Sequence, residues 1–494
     1  MVAPLDNRGK VAHLLRRFGL GASPHELDEY AALGPQKAME KLLDFGPDEP
    51  SRLHPLQWAF KDDKTEAEPG AYRFVGQWVY DLMTTDKPLR EKLAVFWHDH
   101  FAIDDNKVED GLATMHYMVT VRRVAGGKFR DILGAMAKEP AFMKMLDVRM
   151  MSKGEPNENF ARELMELYTL GVGHYSETDI KEVSRALTGW TYFNTYYEAQ
   201  GKNDDKLRKM HQFDQPYTLF AWVPDAHDSK PKTVLGKKVD SGEEVLDLLA
   251  AHPRTAEFVC EKLWKFFGSD TESPSAVAKL SKVFTRTKGD IKAVLLEMSK
   301  IPEFWSDEVV RRKVKSPLDF TVGYVRAMGS KLALEKLVPP GMAFDAPVPK
   351  PVFDNVLGVL YWMGQQGMTL LYCPSVAGWE KGQAWITSNN LLRRRQFTGV
   401  FTFYQESKDK WKADTCSQHV VAFLNARKPT KPRDLVDGLC ELYDCPLPEE
   451  GRMSATSFIE KHGGMAVTKD ETTFAYIMQE TMGIVRLAPE FHLC

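Results

Sequence analysis

The chain of 494 residues is 43% hydrophobic and 27% charged, the proportions of an ordinary globular protein that can bury a large core. A formal charge of -3 excludes a global electrostatic pull on nucleic acid or on an anionic membrane surface. Six cysteines, at positions 260, 373, 416, 440, 445 and 494, form no C-x-x-C pair and are too thinly spread for a disulfide framework, so most of them read as small core residues.

The opening "MVAPLDNRGKVAHLLRRFG" lacks the basic and apolar regions of an export signal. No apolar run approaches the ~20 residues needed to cross a bilayer, so no membrane span is expected. As written, the sequence is expected to be cytoplasmic; with a trimmed N-terminus the expectation becomes periplasmic or extracellular. Helical periodicity then dominates. "SPHELDEYAALGPQKAMEKLLDF" offers Ser23 as N-cap and Pro24 in the first turn. "KPLREKLAVFWHDHFAI" reads as a long helix with Leu89, Leu93, Phe96 and His100 on one stripe and His98 about 200° away from His100. "GKFRDILGAMAKEPAFMKML" gives two more helical stretches.

"NENFARELMELYTLG" holds the most informative helix. At about 100° per residue, Phe160, Ala161, Leu164, Met165, Leu167, Tyr168 and Leu170 cover well over half of its circumference. Glu163 falls inside that apolar arc, with Glu166 and Asn159 beside it at the edge. A carboxylate withdrawn from water must be paired, hydrogen-bonded or protonated, and such anomalies concentrate at functional sites. Arg162 and Glu166 stand four apart, the spacing of a surface ion pair. Ser176 and Asp179 open the next helix with a capping box.

Residues 190–243 break the pattern. "WTYFNTYYE", "YTLFAWVPD" and "KTVLGKKV" are rich in aromatic and β-branched residues between turn signals, so strands or ordered loops are expected. Helices resume through "HPRTAEFVCEKLWKFFG" and "SPLDFTVGYVRAMG" to about residue 330. The Pro-rich "VPPGMAFDAPVPKPVF" reads as a loop or joint, and the remainder as helices and loops. The expected fold is mainly α, a multi-helix globular array with a small strand- and loop-rich insertion around 190–243. Residues 1–330 form the main helical domain, and 331–494 a C-terminal region packed on it.

The sequence contains no Walker A loop, dinucleotide fingerprint, H-E-x-x-H or G-x-S-x-G. Polar residues in aromatic settings remain. "FWHDHFA" supplies His98, Asp99 and His100, of which His100 points inward; ligands at i and i+2 of a helix cannot easily share a metal. "VPDAHDSK" supplies His227 and Asp228 in a turn. "CPSVAGWEKGQAWITSNNLLRRR" places Trp379 and Trp385 around glycines, as core anchors or as a sugar-stacking platform, with Ser388 capping a helix. Basic runs such as "LLRRRQF" read as solvated faces.

Eight ordered blocks, among them "HLLRRFGLGASP", "FWHDHFA", "NENFARELMELYTLG", "DIKEVSRALTGW" and "VAGWEKGQAWITSNNLLRRR", resemble the large bacterial domain-of-unknown-function family numbered eighteen hundred, from about residue 10 to at least 400. Members of that family commonly carry an export signal and are often encoded beside a sulfatase-like family, which implies an envelope role. Positions matching its motifs are His13, Arg16, His98, His100, Asn159, Arg162, Glu163, Glu166, Trp190, His227 and Asp228.

Three functions follow as expectations. In the first, a hydrolase acts on a carbohydrate or other polar polymer, with Glu163 as general acid and Glu166 or Asp228 as base or nucleophile beside His98, His100 and His227. His13, Arg16, Asn159, Arg162 and Trp190 are then the substrate-binding candidates. In the second, His98, His100, Glu163, Glu166 and His227 are candidate ligands of a divalent metal such as iron, manganese or zinc. In the third, the same polar groups specify the fold of a non-catalytic envelope partner of a sulfatase-like protein.

Overall fold

The computed structural model describes residues 5–49, 51–61, 64–65, 71–149, 151–194, 218–343, 346–400, 404–407, 410–413 and 415–494. Its architecture is mainly α. Helices stack on helices, and the strands among the described residues form four separate two-stranded antiparallel ladders.

The helix Pro88–His100 lies at the centre. All thirteen of its residues are buried, including Arg90, Glu91 and Lys92, because the helices Asn7–Phe18, Gly34–Leu43, Ala71–Thr84 and Gly111–Val124 enclose it. The single apolar stripe read from sequence therefore understates its burial. Each buried charge has a partner. Lys92 Nζ lies 2.8 Å from Asp319 Oδ1. Arg122 Nε lies 2.8 Å from Glu91 Oε2 and also pairs with Asp81, while Arg90 Nη1 lies 2.8 Å from Glu91 Oε1. Burial pushes the Glu91 carboxyl up, but the guanidiniums of Arg122 and Arg90 outweigh it and hold the group below its ordinary range.

Several local signals hold. Ser23 accepts from Glu26 N–H with Pro24 in the first turn, and the Ser176–Asp179 capping box is complete. The long pattern after Ser23 divides into two helices, Pro24–Ala31 and Gly34–Leu43, at Gly34 (φ +75°). The helix at "SNNLLRRR" begins at Ser388 itself; its cap is Thr387, whose hydroxyl accepts from Asn390 N–H at 3.3 Å.

In the 190–243 insertion, Trp190–Asn194 pairs with Thr218–Trp222, and Lys232–Val234 with Lys237–Val239. Residues 195–217, part of the expected strand segment, lie outside the described residues. Cys260, Cys373, Cys440, Cys445 and Cys494 are all buried and free. No helix among the described residues is long and apolar enough to cross a membrane.

The glutamate helix runs over Glu158–Met165 and continues as a π turn, Glu166–Leu170. Thr169 supports the widened turn by donating its hydroxyl to Leu164 O at 2.8 Å. A second π turn, Trp264–Gly268, follows the helix Pro253–Leu263, and that helix packs against the first π turn. Single π turns recur at functional sites because the extra residue re-aims the side chains around it.

Candidate functional site

The two histidines of "FWHDHF" have different fates. The amide of Leu371 donates to His98 Nε2 at 2.8 Å, so the ring proton sits on Nδ1, which reaches the Tyr117 hydroxyl at 3.0 Å. Tyr117 passes its own proton to Phe101 O at 2.6 Å. Burial alone lowers the His98 pKa to about 3, so it stays neutral, with every polar atom used. This ring is a strut.

His100 opens onto a cluster. Its Nε2 donates to Tyr168 O at 3.1 Å, which leaves Nδ1 as an acceptor facing Lys262 Nζ at 3.1 Å. Lys262 also donates to Leu167 O at 3.0 Å and lies over the Phe258 ring. Burial, helped by the nearby Lys381 ammonium and opposed by Asp99, lowers the Lys262 amine to about 8. An amine that titrates near neutrality against a neutral imidazole can give and take a proton at working pH.

Asp99, between the two histidines, is the side chain to which the far end of the chain comes back. Trp379 N–H donates to Asp99 Oδ1 at 2.9 Å, and Lys381 Nζ sits 2.6 Å from Oδ2. Gly378 makes this approach possible: its φ is +87°, and a Cβ there would strike Asp99 Oδ1. Asp99, Lys381, Trp379, Trp385 and Phe266 line a cavity of about 50 Å³ together with the paired Lys92 and Asp319. Trp379 and Trp385 are each only 6% exposed, so both are anchored in the core and meet the cavity from inside, not as an exposed platform. The indole N–H of Trp379 has no acceptor among the described residues.

Glu163 is half-buried, less withdrawn than its apolar arc implies, and forms no hydrogen bond or ion pair among the described residues. Burial and the neighbouring Glu166 carboxylate raise its pKa, against the pull of Arg162. Glu166 accepts from the Tyr175 hydroxyl. Arg162 does not pair with Glu166 but reaches across to Glu177 at 2.8 Å, because the following helix presents a carboxylate closer than the one on its own helix. Asn159 is exposed.

The remaining candidates sit elsewhere, in local structural roles. His227 places Nδ1 2.8 Å from Thr188 O and Nε2 3.0 Å from Asp240 O, tying the hairpin region to the preceding helix. The Arg185 guanidinium, 2.8 Å away, holds Asp228 at about 2, a fixed ion-pair partner and not a base. Trp190 is buried against Phe220. His13 donates from Nε2 to Phe304 O at 3.1 Å, while Arg16 pairs with Asp444 at 2.9 Å. Among the described residues no group of three or more His, Cys, Asp or Glu side chains is arranged to hold a metal ion. The candidate ligands His98, His100, Glu163, Glu166 and His227 thus do not converge as a metal site.

Lys262 and Lys381 were passed over in the sequence. A signal for Lys262 exists: it stands four residues from both Phe258 and Phe266, a cation on an aromatic stripe. Lys381 has no such signal, since its partner lies 282 positions away.

These features define a class, a large mainly helical protein whose polar centre is assembled from distant helices and one returning loop. The chain belongs to the DUF1800 family, described as a protein of unknown function, whose sequence profile matches residues 13–493. No curated protein and no solved structure matches it.

Proposed function

We propose that the protein is a hydrolase-like acid–base enzyme acting on a carbohydrate or other polar polymer. The observation that carries this reading is Lys262: a buried amine lowered to about 8, held 3.1 Å from His100 and bonded to the backbone of Leu167, one turn beyond Glu163. Burial raises the Glu163 pKa and lowers that of Lys262, so each moves toward the range in which a side chain exchanges a proton at working pH. The small cavity beside Asp99 and Lys381 mixes indole edges with paired charges and has room for a single polar group of a substrate.

The test is turnover on a panel of chromogenic glycosides, esters and polysaccharides. Glu163→Gln and Lys262→Met should each lose at least ~100-fold, the lower bound for a positioned acid or base, with no fall in melting temperature. Full activity in both variants overturns the reading.

A non-catalytic envelope partner of a sulfatase-like protein is the second reading. It is favoured by the saturation of His98, His227 and Asp228, which behave as fold-specifying contacts. On that reading Lys262→Met changes binding to the partner and no substrate is turned over.

A further inference from the structure

A separate feature lies on the helix Ser388–Val400. An open groove of about 580 Å³ is lined by Trp362, Leu392, Arg393, Arg395, Gln396 and Arg486. Three arginines farther along the same C-terminal region are matched: Arg427 with Glu441, Arg433 with Glu449, Arg452 with Asp437. Arg394, in the middle of the same run, is buried and bonded to Gln366 at 3.1 Å and Lys315 O at 2.7 Å. The three arginines of the groove form no ion pair among the described residues; their one side-chain bond runs from Arg393 Nη1 to Gln396 Oε1 at 3.1 Å.

The mismatch goes deeper. Arg486 Nε and Nη1 and Arg393 Nε are buried N–H groups without an acceptor among the described residues. The Arg486 guanidinium loses proton affinity mainly through burial, and the nearby Arg395 opposes its charge while Glu480 offsets it without forming an ion pair. Gathering like charges and leaving their donors unsatisfied costs stability, unless an anion supplies the missing acceptors.

We propose that this groove is a binding site for a phosphate-bearing ligand. Guanidinium forks match a tetrahedral oxyanion two donors at a time, and the half-buried Trp362 gives the groove a flat wall against which the rest of the ligand rests. The site is distinct from the Lys262 centre and does not depend on the reading given above.

Calorimetric titration of the full chain with inorganic pyrophosphate tests the site. Saturable binding that weakens steeply with salt is expected. Arg395→Gln should weaken it by about tenfold, roughly the worth of one charge-assisted hydrogen bond, and the Arg395→Gln, Arg486→Gln double variant should abolish it. Unliganded melting temperatures of both variants should stay level or rise, since no internal acceptor is lost. Sedimentation with phosphatidylcholine vesicles, with and without phosphatidic acid, separates the sources. Recruitment to the acidic vesicles that the double variant loses assigns a lipid headgroup; pyrophosphate binding without recruitment assigns a soluble ligand. Absence of binding to both probes, or binding undiminished in the double variant, overturns the proposal.

Discussion

Two buried polar regions border the helix Pro88–His100, and they are built on opposite principles. At its first turns, Arg122 is clasped by Glu91 and Asp81, Arg90 Nη1 adds a second cation to Glu91, Ser51 and Gln77 donate to Asp81, and only the Arg90 Nε proton is without an acceptor in this set. At its last turn, the Lys262 ammonium has a neutral imidazole, a carbonyl and the Phe258 ring for partners among the described residues, Trp379 Nε1 has no acceptor there, and Glu163, one turn before Leu167 on its helix, forms no hydrogen bond. The first arrangement satisfies its charges and so fixes the fold. The second leaves proton donors and acceptors in reserve, which is what chemistry on a visiting molecule requires.

The contrast is broken most forcefully at Arg122. Arg122→Met leaves Asp81 without its cation and Glu91 with Arg90 alone, and a loss of about 3–5 kcal/mol is expected in urea unfolding. A loss below about 1 kcal/mol would show that this region is no more structural than the other. The Glu91 contribution is present above the ordinary carboxylate range and disappears as pH falls through its depressed folded value.

Lys262→Met should act in the opposite direction. The folded amine releases its proton near pH 8, whereas an unfolded lysine does so near ~10.4; between these values the unfolded chain binds more protons, so stability rises with pH. The variant should melt higher at pH 7 and lose that alkaline rise, and pH-dependent acylation followed by mass spectrometry should find Lys262 the most reactive buried lysine of the wild type. A lower melting temperature at pH 7 would place Lys262 with the structural set.

Glu163→Gln is expected to have a smaller effect on stability. Its carboxyl is raised in the folded state, so ionisation at neutral pH opposes folding and is relieved as pH falls through the folded value. The variant should therefore match or slightly exceed the wild type in thermal melting at pH 7, and marked destabilisation would argue for an unseen structural partner. The smallest effect belongs to Arg162→Ala. Its ion pair with Glu177 is solvent-exposed, and the melting curve should not move.

The sequence exposes the parts of this molecule whose causes are local. Ser23, Pro24 and the Ser176–Asp179 box mark helix starts because a cap needs only its next three residues. The segment "KTVLGKKV", expected as strands or an ordered loop, is a hairpin. His100 reads as inward because its stripe does. The π turns are invisible, since one extra residue blurs the period that reveals a helix. The Glu163 arc overstated burial, because periodicity shows which face is apolar and not how completely a neighbour covers it. Lys262 with His100, and Asp99 with Lys381, meet across more than 160 positions, a separation over which no pattern in one sequence carries information.

The close approach at Gly378 has a practical corollary. Asp99 belongs to the first fifth of the chain, yet both groups that neutralise or cap its oxygens arrive from beyond residue 378. A fragment ending near residue 330 would keep the histidines and glutamates but deprive Asp99 of the Lys381 ammonium and the Trp379 amide that hold its two oxygens. The polar centre is thus indivisible: truncation cannot isolate it, and a larger side chain at position 378 would wedge the two ends of the polypeptide apart.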